Sequence, residues 1–124
     1  MTFSPEFGRR SVGAAAMIAG LLVAFAAAAH HGWGNYDAER PMTVDGPITE
    51  VAFEQPHVHV RVDAAGKSWM IILAPISRMQ SRGATDEVVR VGQTISAYGY
   101  PKRDDPAELR AERITVDGRT YDMR

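Results

Sequence analysis

The chain has 124 residues, with 14 lysine and arginine side chains against 15 acidic ones, and no cysteine. That length supports one small core rather than two. The near-neutral balance leaves no basic stripe for nucleic acid, and without thiols there is neither a disulfide framework nor a thiolate metal centre, so transition-metal ligands are confined to histidine, methionine, carboxylate or a free amine.

In chain order, Arg9 and Arg10 precede the run "SVGAAAMIAGLLVAFAAAA". A basic region, an apolar region and small residues fitting A-x-A are the parts of an export signal. Residues 1–29 are therefore expected to direct the chain to the periplasm or medium. An uncleaved anchor is the alternative, because Val12 to Ala29 reaches the roughly 18 residues a membrane span needs. "GRRSVGA" meets the twin-arginine minimum but lacks most of the surrounding consensus. Residues 1–29 carry two arginines and one glutamate, so 12 basic and 14 acidic side chains remain beyond them. Residues 30–41 read as a flexible arm, and 42–124 as the folded domain.

"MTVDGPITEVAFE" puts Val44 and Ile48 on one parity and Val51 and Phe53 on the other, which predicts a bulge or bend near Thr49 and Glu50. "HVHVRVDAAGKSWMIIL" predicts a hairpin in which Val58, Val60 and Val62 face the core and His57, His59 and Arg61 face outward. With "DAAG" as its loop, Val62 pairs with Lys67, His59 with Met70 and His57 with Ile72. "PISRMQSRG" reads as a short helix stopped by Gly83. "VGQTISAYGYP" is a fourth strand, and "ELRAERITVDGRTYDM" a fifth that ends in a small Asp117-Gly118 hairpin. Three strands, a short helix and two strands, with a bent first strand, predict an all-β, five-stranded, OB-like Greek-key barrel. An open β-sandwich is the alternative.

The stretches "AHHGWGNYDAERPMTVDGPITEVAFEQPHVHVRVD", "SRGATDEVVRVGQTISAYGYPKRDDP" and "ITVDGRTY" resemble a family of small exported bacterial proteins of unknown function. The shared features are an alanine-ended signal, "HH" followed by an aromatic and "YD", a "G-x-[IV]" strand, "NPH" before the second strand, "GD-x-V-x-V-x-G" in the fourth and a closing "DGR". The resemblance implies an exported OB-like domain. It puts His30, His31 and His57 on family motif positions, with Gln55 standing where the family has asparagine and His59 at a variable position.

The four histidines fall in two pairs. A mature chain starting at His30 offers an α-amine and an imidazole, and one starting at Ala29 offers an amine, two amides and a third-position imidazole; both arrangements suit Cu(II). A solvated terminus with idle histidines is the competing reading. His57 and His59 share a strand face, and with Met70 alongside, two imidazoles and a thioether suit copper better than magnesium or calcium. By fold-level analogy this is similar to the small periplasmic copper carrier of cation-efflux systems, although alternation turns Trp69 to the core. Against it, His57 after Pro56 can serve to tie down the strand entry while His59 is simply exposed. Trp33, Tyr36, Tyr98 and Tyr100 line a groove or, more simply, pack the core. "KRDDP" at 102–106 reads as a solvated loop. With no nucleophile motif, phosphate loop or HExxH, catalysis is not expected. The expectation is an exported binding module that holds copper or a similar late divalent metal through His30, His31, His57, His59 and Met70. The alternative is an envelope interaction or small-ligand module without metal.

Overall fold

β1 (Met42–Ala52) is long enough to serve two neighbours. Met42 to Pro47 pair with β4 (Thr94–Lys102), and Ile48 to Ala52 pair with β2 (His59–Ala64), with a register shift between Ile48 and Glu50. The expected parity switch is this bulge, which bends the strand from one neighbour to the other. Just before it, a Cβ on Gly46 would lie 2.0 Å from the Asp63 carbonyl oxygen, so only glycine lets β1 and β2 approach there. The computed structural model describes Thr2 and residues 32–124; the expected export signal, apart from Thr2, and His30 and His31 lie outside the described residues.

β2 turns into β3 (Lys67–Ile72) through Ala65 and Gly66, both at positive φ (52° and 79°). Two such residues make the tight turn whose twist matches a hairpin. The loop is therefore two residues rather than "DAAG", and the register moves by two: Ala64 pairs with Lys67, Arg61 with Met70 and His59 with Ile72. The expected His59–Met70 and His57–Ile72 pairs do not form.

β3 pairs in parallel with β5 (Asp105–Val116), β5 pairs with β4 and β4 with β1, closing a five-stranded barrel; β6 (Arg119–Asp122) adds to β5 by the Asp117-Gly118 turn. Val58, Val60, Val62, Trp69, Ile71, Ile95, Leu109 and Ile114 fill the interior. A second bulge leaves Glu112 unpaired against β4, so Leu109 and Ala111 face inward on one parity and Ile114 and Val116 on the other.

α1 (Ile76–Ser81) follows β3 and buries Met79. Gly83, at φ 83°, ends it: its N–H donates to the Gln80 carbonyl, and the Ala84 N–H donates to Met79, with Met79 and Ala84 both buried. That is a Schellman stop with its apolar contact. Among the described residues, no helix is long and apolar enough to cross a membrane.

Candidate functional site

The described histidines do not share a site. His57, at the entry to β2, has its Nε2 3.2 Å from Arg110 Nη2. A guanidinium can only donate, so His57 accepts on Nε2 and carries its proton on Nδ1. Burial, then the positive charges of Arg110 and Arg78, hold its pKa below the usual 6.5. One of the two ring nitrogens a metal could use is engaged, and its neighbour is a cation, which opposes a metal there. His59 faces elsewhere, with Nε2 3.9 Å from Glu54 Oε1. It and Met70 do line one shallow cavity of about 250 Å³, together with Glu50 and Arg61, which pair with each other at 3.5 Å. Among the described residues, no three His, Cys, Asp or Glu side chains converge as a metal centre would require.

What gathers around His57 is a set of arginines and aromatics. Arg110, on the outward face of β5, is only 9% exposed, and its Nε has no hydrogen-bond partner among the described residues. Its guanidinium stands over the Trp33 ring at 4.5 Å and 5.9 Å from the Tyr36 ring, and Arg124 also stands over Trp33 at 4.5 Å. Trp33, Tyr100 and Tyr98 then meet edge to face, with ring centroids 6.1 and 6.3 Å apart, and Arg113 covers Tyr98 at 5.0 Å. Burial, with the nearby charges of Arg124 and Arg78, lowers the Arg110 pKa from its ordinary value. The Tyr36 hydroxyl donates to Glu108 Oε2 at 2.6 Å, and burial together with that carboxylate pushes its pKa well above the ordinary value.

This cluster fastens the segment before β1 to the barrel. Trp33–Asn35 form a 3-10 turn, Tyr36 bridges to Lys102, the Asp37 N–H donates to the Pro101 carbonyl, and the Arg103 N–H donates to the Asn35 carbonyl. From Trp33 onward, the flexible arm expected over 30–41 is therefore part of the folded unit. Trp33 and the buried Tyr36 thereby cover Arg110 and Glu108 with apolar ring surface.

The same segment walls a cavity of about 360 Å³ at the end of the barrel where β1, β3 and β5 begin and β4 ends. Trp69 forms its floor, 6% exposed, with Lys67 Nζ 4.0 Å from the ring centroid. Pro41, Pro101 and Pro106 supply apolar walls, and Arg40, Lys102 and Arg103 the polar groups. "KRDDP" is thus not merely a solvated loop, because Lys102, Arg103 and Pro106 line this cavity.

Sequence reasoning passed over Arg103 and Arg110 as sites. Arg110 carried one available signal, an arginine on the same parity as Glu108 and Glu112 in a strand closing a small barrel. Its partners come from positions 33, 36 and 57, and nothing local announces them.

Comparison with curated proteins finds no match. Among solved structures, a crystal structure of a ZRD-deleted mutant of TiaS in complex with agmatine aligns with TM-score 0.51 at 21% identity, covering 70% of this chain and 27% of that one. The crystal structure of the Stn1–Ten1 complex of S. pombe aligns with TM-score 0.51 at 16% identity, covering 62% of this chain and 57% of that one. The chain thus spans less than two thirds of either neighbour, and the likeness is one of fold: the OB-like barrel recurs in both. The family model that matches covers residues 19–109, and the chain belongs to that family of unknown function, DUF6152.

Proposed function

We propose that this protein is an exported binding module that takes a small ligand in the cavity above Trp69, without using a metal. The observation that carries the reading is the cavity itself, about 360 Å³ at a barrel mouth, lined by apolar side chains and a few polar ones. Small-molecule sites are concave, mostly apolar and on the order of 300–1,000 Å³, and barrel mouths are among their usual places. Export rests on the basic, apolar and small-residue parts of residues 1–29. The metal reading is weakened because His57 is engaged by Arg110 while His59 turns to Glu54; copper chelation is left to His30 and His31.

A fragment library titrated into the full-length chain and followed by two-dimensional NMR tests the reading. Ligands are expected to shift the Trp69 indole resonance and leave that of Trp33 in place. Hits that cluster on Trp33 and Arg110, with Trp69 silent, would transfer the site to the aromatic and arginine face.

A further inference from the structure

We infer that the ligand of the Trp69 cavity is a small organic anion, whose apolar body lies against the prolines and Trp69 and whose carboxylate or phosphate group meets Lys102 and Arg103. The inference rests on the cavity being the ligand site and adds the charge of what enters it.

The argument is one of hydrogen-bonding capacity. The polar side chains lining the cavity are Arg40, Lys102 and Arg103. All three donate and none accepts. Two backbone acceptors of the lining are already engaged: the Pro101 carbonyl takes the Asp37 N–H at 2.9 Å, and the Pro106 carbonyl takes Lys67 Nζ at 3.0 Å. Three wall residues are prolines and have no N–H to offer. The side chains here thus favour a ligand that presents acceptors, and the donors it meets are charged.

The positive charge at the mouth is incompletely answered. Arg40 pairs with Asp37 at 3.1 Å, and Lys102 lies 3.9 Å from both Asp104 and Glu108, but these carboxylates are not part of the lining. Glu108 is also occupied by the Tyr36 hydroxyl. Lys67 has uncharged partners, the Pro106 carbonyl and the Trp69 ring. The Arg103 guanidinium makes no ion pair among the described residues; its backbone N–H alone is tied, to Asn35. A divalent cation finds no side-chain ligand in the lining, and a neutral polyol would leave the Arg103 charge unanswered. An acidic head on an apolar body matches both kinds of side chain in the lining. Because proline walls and a 94%-buried tryptophan cannot rearrange freely, little ordering is required on binding.

The test uses the full-length chain carrying Trp33→Phe, so that Trp69 is the reporting tryptophan, with benzoate, its neutral counterpart benzyl alcohol, and inorganic phosphate as probes. Benzoate is expected to change Trp69 fluorescence with an affinity about tenfold above that of benzyl alcohol, and phosphate, having no apolar body, to bind more weakly than benzoate. Arg103→Gln, at an exposed position, is expected to weaken benzoate about fivefold and leave benzyl alcohol unchanged. Raising salt from about 0.05 M to about 0.5 M should weaken the two anions, benzoate and phosphate, and leave benzyl alcohol unchanged. Equal affinity for benzoate and benzyl alcohol, unaffected by Arg103→Gln, would overturn the anion inference while leaving the cavity as the ligand site. If no probe moves Trp69, the cavity reading fails and this inference with it.

Discussion

Replacing Arg110 by methionine and, separately, by alanine divides the packing of that side chain from its charge. Taking a guanidinium out of water costs several kcal/mol even after relaxation. Against this the structure sets one hydrogen bond to His57 at 3.2 Å and the rings of Trp33 and Tyr36 at 4.5 and 5.9 Å. A hydrogen bond from a charged group contributes about 1.5–3 kcal/mol, and each ring contact about 0.5–2. The two sides nearly balance, and Nε, without a partner among the described residues, adds no bond of its own. Arg110→Met, which keeps an apolar body under Trp33, is therefore expected to stay within about 1 kcal/mol of the parent. Arg110→Ala leaves a void in the same place and should lose roughly 2–4 kcal/mol. Urea midpoints at constant m value give both numbers. If methionine costs as much as alanine, the charge itself holds the segment down and the balance drawn here is wrong. The pair also separates in acid. His57 is held below its unfolded pKa of about 6.5 by burial first and by Arg110 and Arg78 second. Its contribution is thus fully present above that value and is lost as pH falls through the lower folded pKa. Removing the Arg110 charge raises the folded pKa toward 6.5, so the methionine variant should show a shallower acid decline.

Val60 is fully buried while His59 faces out of the barrel, so Val60→Ala should cost about 2 kcal/mol and His59→Ala stay within about 0.5; the reverse order in chemical denaturation would contradict the strand's facing. Gly99 is crossed so closely that a Cβ would stand 1.9 Å from the Arg110 carbonyl oxygen. Gly99→Ala must therefore separate β4 from β5 and should cost at least about 3 kcal/mol; a parental melting temperature by circular dichroism would show that the strands have room there. Cu(II) is expected to leave the melting temperature of the full-length chain unchanged, since His57 Nε2 is committed to Arg110. A rise that His57→Ala abolishes would restore histidine as a coupled metal ligand, because only binding linked to folding stabilises the fold.

Where local chemistry decides, the sequence was sufficient. Alternation along Val58, Val60 and Val62 marked the inward face; the parity change between Ile48 and Val51 marked the bend; Gly83 marked the end of the helix and Asp117-Gly118 the last turn. Strand order and the short helix then led to the OB-like barrel. The β2–β3 register was missed for a physical reason: Ala65 takes a positive φ that alanine seldom adopts, so "AG" did not read as a two-residue turn. The sites needed the tertiary structure altogether. Tyr36 and Glu108 lie 72 positions apart, Trp33 reaches Arg110 across the whole barrel sequence, and the Trp69 cavity draws its walls from the starts of three strands and the end of a fourth. Period and composition specify which face of a strand is buried. Which distant side chains then meet at the barrel's rim depends on closure, and closure is set by long-range pairing that no window of sequence contains.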